Sequence, residues 1–138
     1  MSRRDRYHDL VKQALIKEGW TITHDPDIIK TDPTLEVDLG GERMIAVERK
    51  HEKIAIEIKS FLNSSQVADL EDAVGQYSIY DIFLKRQEPN RKLYLAIPQY
   101  AFTNIFSREV GQITVKELGI HLIVYSLSEK EPLQWKTP

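Results

Sequence analysis

The sequence predicts an α/β domain with a mixed β-sheet, an antiparallel meander followed by parallel strands, flanked by helices on both faces. Three observations carry this. Apolar and polar residues alternate through Leu35 to Lys59 with the period of two that strands require. Two segments, 4–18 and 65–85, repeat apolar residues at helical spacing. Two compact apolar runs, KLYLAI at 92–97 and IHLIVY at 120–125, suit buried strands added by crossovers. With 138 residues and 41% apolar content, one domain over residues 1–138 with a real core is expected.

In chain order, Tyr7, Leu10, Val11, Ala14 and Leu15 give the first helix its apolar stripe, and Gly19 stops it. Trp20 to His24 reads as a short strand, and Pro26 and Pro33 bracket an irregular stretch. The meander follows. Leu35, Val37 and Leu39 form one run, Ile45 and Val47 a second after Gly40-Gly41, and Ile54, Ile56 and Ile58 a third after a polar turn at Lys50 to Glu52. Ser65 is a fitting cap for a long helix whose apolar face is Val67, Leu70, Val74, Tyr77 and Phe83. Pro89-Asn90 marks a loop before the strand at 92–97, which Pro98 ends. Residues 99–106 and 108–118 are expected to be helical, with Gly119 closing the second before the strand at 120–125. Leu133 and Trp135 suit an edge strand in a polar tail.

Composition narrows the function. No run is long and apolar enough to span a bilayer, and the charged start MSRRDRYHDL predicts no secretory leader. The absence of cysteine excludes disulfides, zinc–thiolate sites and cysteine nucleophiles, which suits a cytoplasmic protein. A net charge of −2 argues against a protein that coats nucleic acid, but allows an enzyme that grips DNA locally. Three basic clusters (Arg3, Arg4 and Arg6; Arg49, Lys50 and Lys53; Lys85, Arg86, Arg91 and Lys92) read as solvated faces and turns.

Glu57 and Lys59 lie two apart on a strand and so share a face, with the isoleucines on the other. Alone, the pair also suits an ordinary amphipathic strand in water. Asp38 changes the reading. A turn centred near His51 sets Arg43 opposite Lys59, and a glycine bulge at Gly40-Gly41, preferred here to a tight turn, keeps Asp38 beside Glu57. Two carboxylates at one place repel unless a cation lies between them, and hard oxygen ligands suit Mg²⁺ or Mn²⁺. The Ile58 peptide carbonyl is a third candidate ligand, and Lys59 would orient water or steady developing negative charge. Glu48, near the far turn, suits an ion pair with Lys53, and His24-Asp25-Pro26 suits a turn. His8 reads as a surface residue within reach of a phosphate or metal. Gln76 lies on a helix stripe with Ala73 and Tyr80 that faces either the site or solvent. Tyr77, Tyr80, Phe83 and Tyr94 read as core, with base stacking as the alternative.

The segment VDLGGERMIAVERKHEKIAIEIKSF resembles the core of the PD-(D/E)xK nuclease superfamily, with Asp38 matching its first acidic residue and Glu57-Ile58-Lys59 its ExK. Many relatives carry a glutamine on the next helix, the place of Gln76 in EDAVGQY. More closely, RDRYHDLVKQALIKEGWTITHDP with EIKSF and LEDAVGQY resembles the XisH family of fdxN-element excision controlling factors in cyanobacteria, from about Arg4 to Tyr125. The resemblance implies a restriction-endonuclease-like fold, a link to DNA excision and an XisI-like protein partner. Val37 stands where that superfamily's pattern has proline. For the acidic group some of its members carry on the first helix, the candidates are Asp5, Asp9 and His8. Two functions follow as expectations: a metal-dependent DNA endonuclease, or a non-catalytic accessory protein that binds DNA or an XisI-like partner while a separate recombinase cuts. A nuclease held silent by a partner is a third. Homodimers are common among such nucleases, and the long helix would serve one.

Overall fold

A computed structural model describes residues 3–45, 50–127 and 131–138. The predicted strand residues Ala46 and Val47, the proposed partner Glu48, and Arg49 lie outside the described residues, as do the side chains of Arg3, Arg4, Asp5 and Lys50. Helix α1 is Arg3–Lys17. Strands β1 (Thr21–His24) and β2 (Asp27–Ile29) follow, then β3 (Leu35–Val37), β4 (Leu39–Ile45) and β5 (Lys50–Ile58). Helix α2 is Gln66–Gln87, β6 is Arg91–Pro98, α3 is Gln99–Phe102 and α4 is Glu109–Leu118. Strands β7 (Leu122–Tyr125) and β8 (Leu133–Lys136) follow.

The main sheet runs β1-β4-β5-β6-β7-β8. Its β5-β6 and β6-β7 pairs are parallel and the others antiparallel, so the expected mixed sheet is present. Helix α2 connects the first parallel pair, and α3 with α4 the second. Two cores follow from the alternation of side chains across the strands. On one face Ala55, Leu93, Leu95 and Val124 pack with Leu70, Ala73, Tyr77 and Leu84 of α2. On the other, Ile54, Ile56, Ala96 and Tyr125 meet Tyr7, Val11, Ala14 and Leu15 of α1.

Ser65 caps α2 as expected, its side chain accepting from the Ala68 N–H at 3.2 Å. Gly119 closes α4 in the left-handed region, at φ 63°. Several expectations are corrected. Val67 is exposed rather than part of the α2 core face. The predicted helix at 99–106 is a single turn followed by a 3₁₀ turn at Ile105–Ser107. The stretch between the prolines holds β2, which pairs with β3 in a separate two-stranded sheet. Arg91 is buried rather than on a solvated turn. Its guanidinium donates to the Ile54 and Gly41 carbonyls at 2.9 and 3.4 Å and meets Glu88 at 2.8 Å and Asp27 at 3.7 Å.

The meander differs most from expectation. Lys50 to Glu52 belong to β5 and pair with β4, so they are not the turn. Leu39 lies opposite Ile56 and Ile45 opposite Lys50, with Gly40 and Gly41 in regular register against Ala55 and Ile54. There is no glycine bulge against β5. The irregularity falls on the other side, between Ile22 and His24 of β1. The glycines serve close approach instead: a Cβ on Gly40 would come within 3.0 Å of the Asp27 carboxylate.

Candidate functional site

Asp38 follows β3 and leads into β4, one step beyond the Leu39–Ile56 pair. Continuing that antiparallel register sets it across from Glu57, the neighbour relation that the bulge was invoked to supply. Two hydrogen bonds lock the step. The Asp38 N–H donates to Glu57 Oε1 at 3.3 Å, and the Ile58 N–H donates to Asp38 Oδ2 at 2.7 Å. Peptide groups alternate direction along a strand, and a residue's N–H and C=O share a side. The Ile58 carbonyl therefore turns to the side of the carboxylates, and Ile58 lines their cleft. Lys59 Nζ lies 3.6 Å from Glu57 Oε2 and 3.6 Å from Asp72 Oδ2. The backbone here is held from β7 and α3: the Tyr125 hydroxyl donates to the Lys59 carbonyl at 2.8 Å, and the Tyr100 hydroxyl donates to the Ser60 carbonyl.

Both acids are buried, Asp38 at 8% and Glu57 at 6% exposure. Burial, then the charge of Asp38, then a hydrogen bond between the two carboxyls push Glu57 up to about 8, against a weaker pull from Lys59. The pair therefore favours holding a proton between two groups that would otherwise repel. A hard divalent cation can take that proton's place. This is the sense in which the donor set fits one: two carboxylates and a peptide carbonyl, all oxygen, leaving positions for water and substrate. Among the described residues no group of three or more histidine, aspartate or glutamate side chains is placed to hold a metal ion.

The acids and Lys59 line a cleft of about 600 Å³. Gln76 borders it from α2, on the same stripe as buried Ala73, and its Oε1 is buried without a hydrogen-bond partner. The stripe left open between site and solvent thus faces the cleft. His8 lines it too, from α1, with Nε2 2.8 Å from Asp25 Oδ1. Asp9 is exposed and bonded to Gln13. Sequence reasoning passed over Asp25 as a turn residue. It accepts from His8 and Lys12 together, a contact across elements that local spacing does not reveal. Tyr77 and Tyr94 are buried and Tyr80 and Phe83 pack against the core, in line with the core reading.

The family model for XisH protein matches residues 1–133. The chain belongs to the XisH family. Its fold matches the crystal structure of an XisH family protein from Nostoc punctiforme, at a TM-score of 0.80 and 36% identity over 94% of this chain and 97% of that one. It also matches a fdxN element excision controlling factor protein from Anabaena variabilis, at a TM-score of 0.82 and 34% identity over 95% and 98% of the two chains. Among curated proteins none matches. The mixed sheet with its flanking helices is thus an XisH fold, and no described helix is long and apolar enough to cross a membrane.

Proposed function

We propose that this chain is a metal-dependent DNA phosphodiester hydrolase of the PD-(D/E)xK type, working in the excision of a DNA element. One observation carries the reading: Asp38 and Glu57 face each other across adjoining strands with Lys59 beside them, in one cleft. When bound, Mg²⁺ or Mn²⁺ would neutralise charge at the phosphate and acidify water. The chain's own residues do the rest. Asp38, Glu57 and the Ile58 carbonyl would hold the ion, and the hydrogen bonds that tie Asp38 to Glu57 and Ile58 fix their geometry before substrate arrives. Lys59 is placed to donate toward a phosphate oxygen or an attacking water, and Gln76 offers an amide to the same space. The Anabaena variabilis relative is named as a fdxN element excision controlling factor, which supports DNA as the substrate.

The test is incubation of supercoiled and branched DNA with wild type, Asp38→Ala and Lys59→Ala, each with Mg²⁺ or Mn²⁺. Nicking by the wild type, lost in both variants, is expected. That relative is named a controlling factor, and this, with the net charge of −2 here, favours a second reading: an accessory protein that binds DNA or an XisI-like partner while a separate recombinase cuts. Equal inactivity of all three proteins, with DNA or partner binding retained, would establish it.

A further inference from the structure

An anion entering the cleft meets mostly carboxyl groups. Glu36 lines it along with Asp38 and Glu57, and Lys59 is already shared between Glu57 and Asp72 at 3.6 Å each. Among the described residues that line the cleft, the basic side chains are Lys59 and His8. His8 enters from α1, the element on the sheet face away from α2, and it does not enter loosely. Its Nε2 lies 2.8 Å from Asp25 Oδ1, and the other oxygen of that carboxylate accepts from Lys12 Nζ at 2.8 Å. Asp25 is thereby fixed by two partners on successive turns of α1, and the ring is held by a carboxylate that Lys12 has already neutralised. A carboxylate on one ring nitrogen sets the orientation of the other.

We propose that His8, held by Asp25, donates a hydrogen bond from Nδ1 to the phosphodiester in the cleft. Nε2 then faces Asp25 and Nδ1 a phosphate oxygen, on the side of the cleft away from Lys59. His8 is then a substrate-contacting residue and Asp25 a positioning residue. This inference rests on the reading of the cleft as a phosphodiester site.

The test is fluorescence anisotropy with a short labelled single-stranded deoxyoligonucleotide in Ca²⁺, an oxygen-seeking ion with looser geometry than Mg²⁺, so that binding is read without cleavage. His8→Ala is expected to weaken binding about five- to tenfold, and His8→Gln, which keeps one donor, to recover part of the loss. Asp25→Asn should weaken binding, and the double variant His8→Ala/Asp25→Asn should be no weaker than His8→Ala, because Asp25 acts through the ring. Binding by His8→Ala that equals the wild type overturns the inference, as does a double variant in which the two losses multiply. Calorimetry with Mn²⁺ on wild type and Asp38→Ala separates the two levels. Mn²⁺ bound by the wild type and lost in Asp38→Ala, with His8→Ala binding DNA normally, sinks the role of His8 and leaves the site reading standing. Wild type that binds neither Mn²⁺ nor the oligonucleotide overturns both.

Discussion

Glu57 is under two opposed demands. As a ligand it must ionise, yet burial and Asp38 raise it to about 8 from 4.5. The folded state therefore binds this proton more tightly than the unfolded chain does. Its contribution to stability is whole below about pH 4.5, shrinks as pH rises and is gone past about pH 8. In a chelator, Glu57→Gln should match wild type at acidic pH and unfold about 2–4 °C higher in alkaline buffer, while losing Mn²⁺ binding; thermal scans and calorimetry check both. Because an ion must displace the proton, Mn²⁺ affinity of the wild type should rise with pH and level off above about 8, with proton release visible as buffer-dependent heat. The three residues of this centre were legible in the sequence, since a period of two puts Glu57 and Lys59 on one face. Gln76 was half legible: helical spacing gave its stripe but not the stripe's direction. Asp25 was not legible, because its partners lie 13 and 17 residues away on a helix packed across the corner.

The hairpin of β4 and β5 shows how an element can be placed by the wrong device. The sequence offered Gly40-Gly41 as a bulge because the turn was set near His51. Ile45 pairs with Lys50 instead, and the simple ladder then delivers Asp38 to Glu57. Charged residues at 50–53 look like a turn, but Glu42 and Arg43 on β4 answer them; Arg43 pairs Glu52 at 2.8 Å. The strand β2 was hidden by flanking prolines and by length, for it has only three residues. Helix α4 depends on a contact that patterning does not announce. A Cβ on Gly111 would lie 2.3 Å from the Ile105 carbonyl and 2.7 Å from the Phe106 Cα, both backbone atoms. Gly111→Ala should therefore lower stability by about 1–3 kcal/mol in urea titrations, although alanine is the better helix former.

At the scale of the molecule, Arg91 ties four strands together. It stands at the start of β6, donates to carbonyls of β4 and β5, and faces Asp27 of β2. Removing it strands two carbonyls and a carboxylate that is 3% exposed, so Arg91→Met should cost about 3–5 kcal/mol by chemical unfolding. A second tie reaches across β6. Tyr125, on β7, secures the carbonyl of Lys59 from the parallel strand two places along. Tyr125→Phe should leave Mn²⁺ calorimetry unchanged while lowering any DNA cleavage, at a stability cost of about 1–2 kcal/mol. That bond has a temporal meaning. During synthesis the hairpin bearing both carboxylates leaves the ribosome well before residue 125, so this anchor of the Lys59 carbonyl forms after the acids are made, and after the Lys59 N–H has its partner in the Ala96 carbonyl at 2.9 Å. A nascent chain would carry the acids before the base is fully anchored.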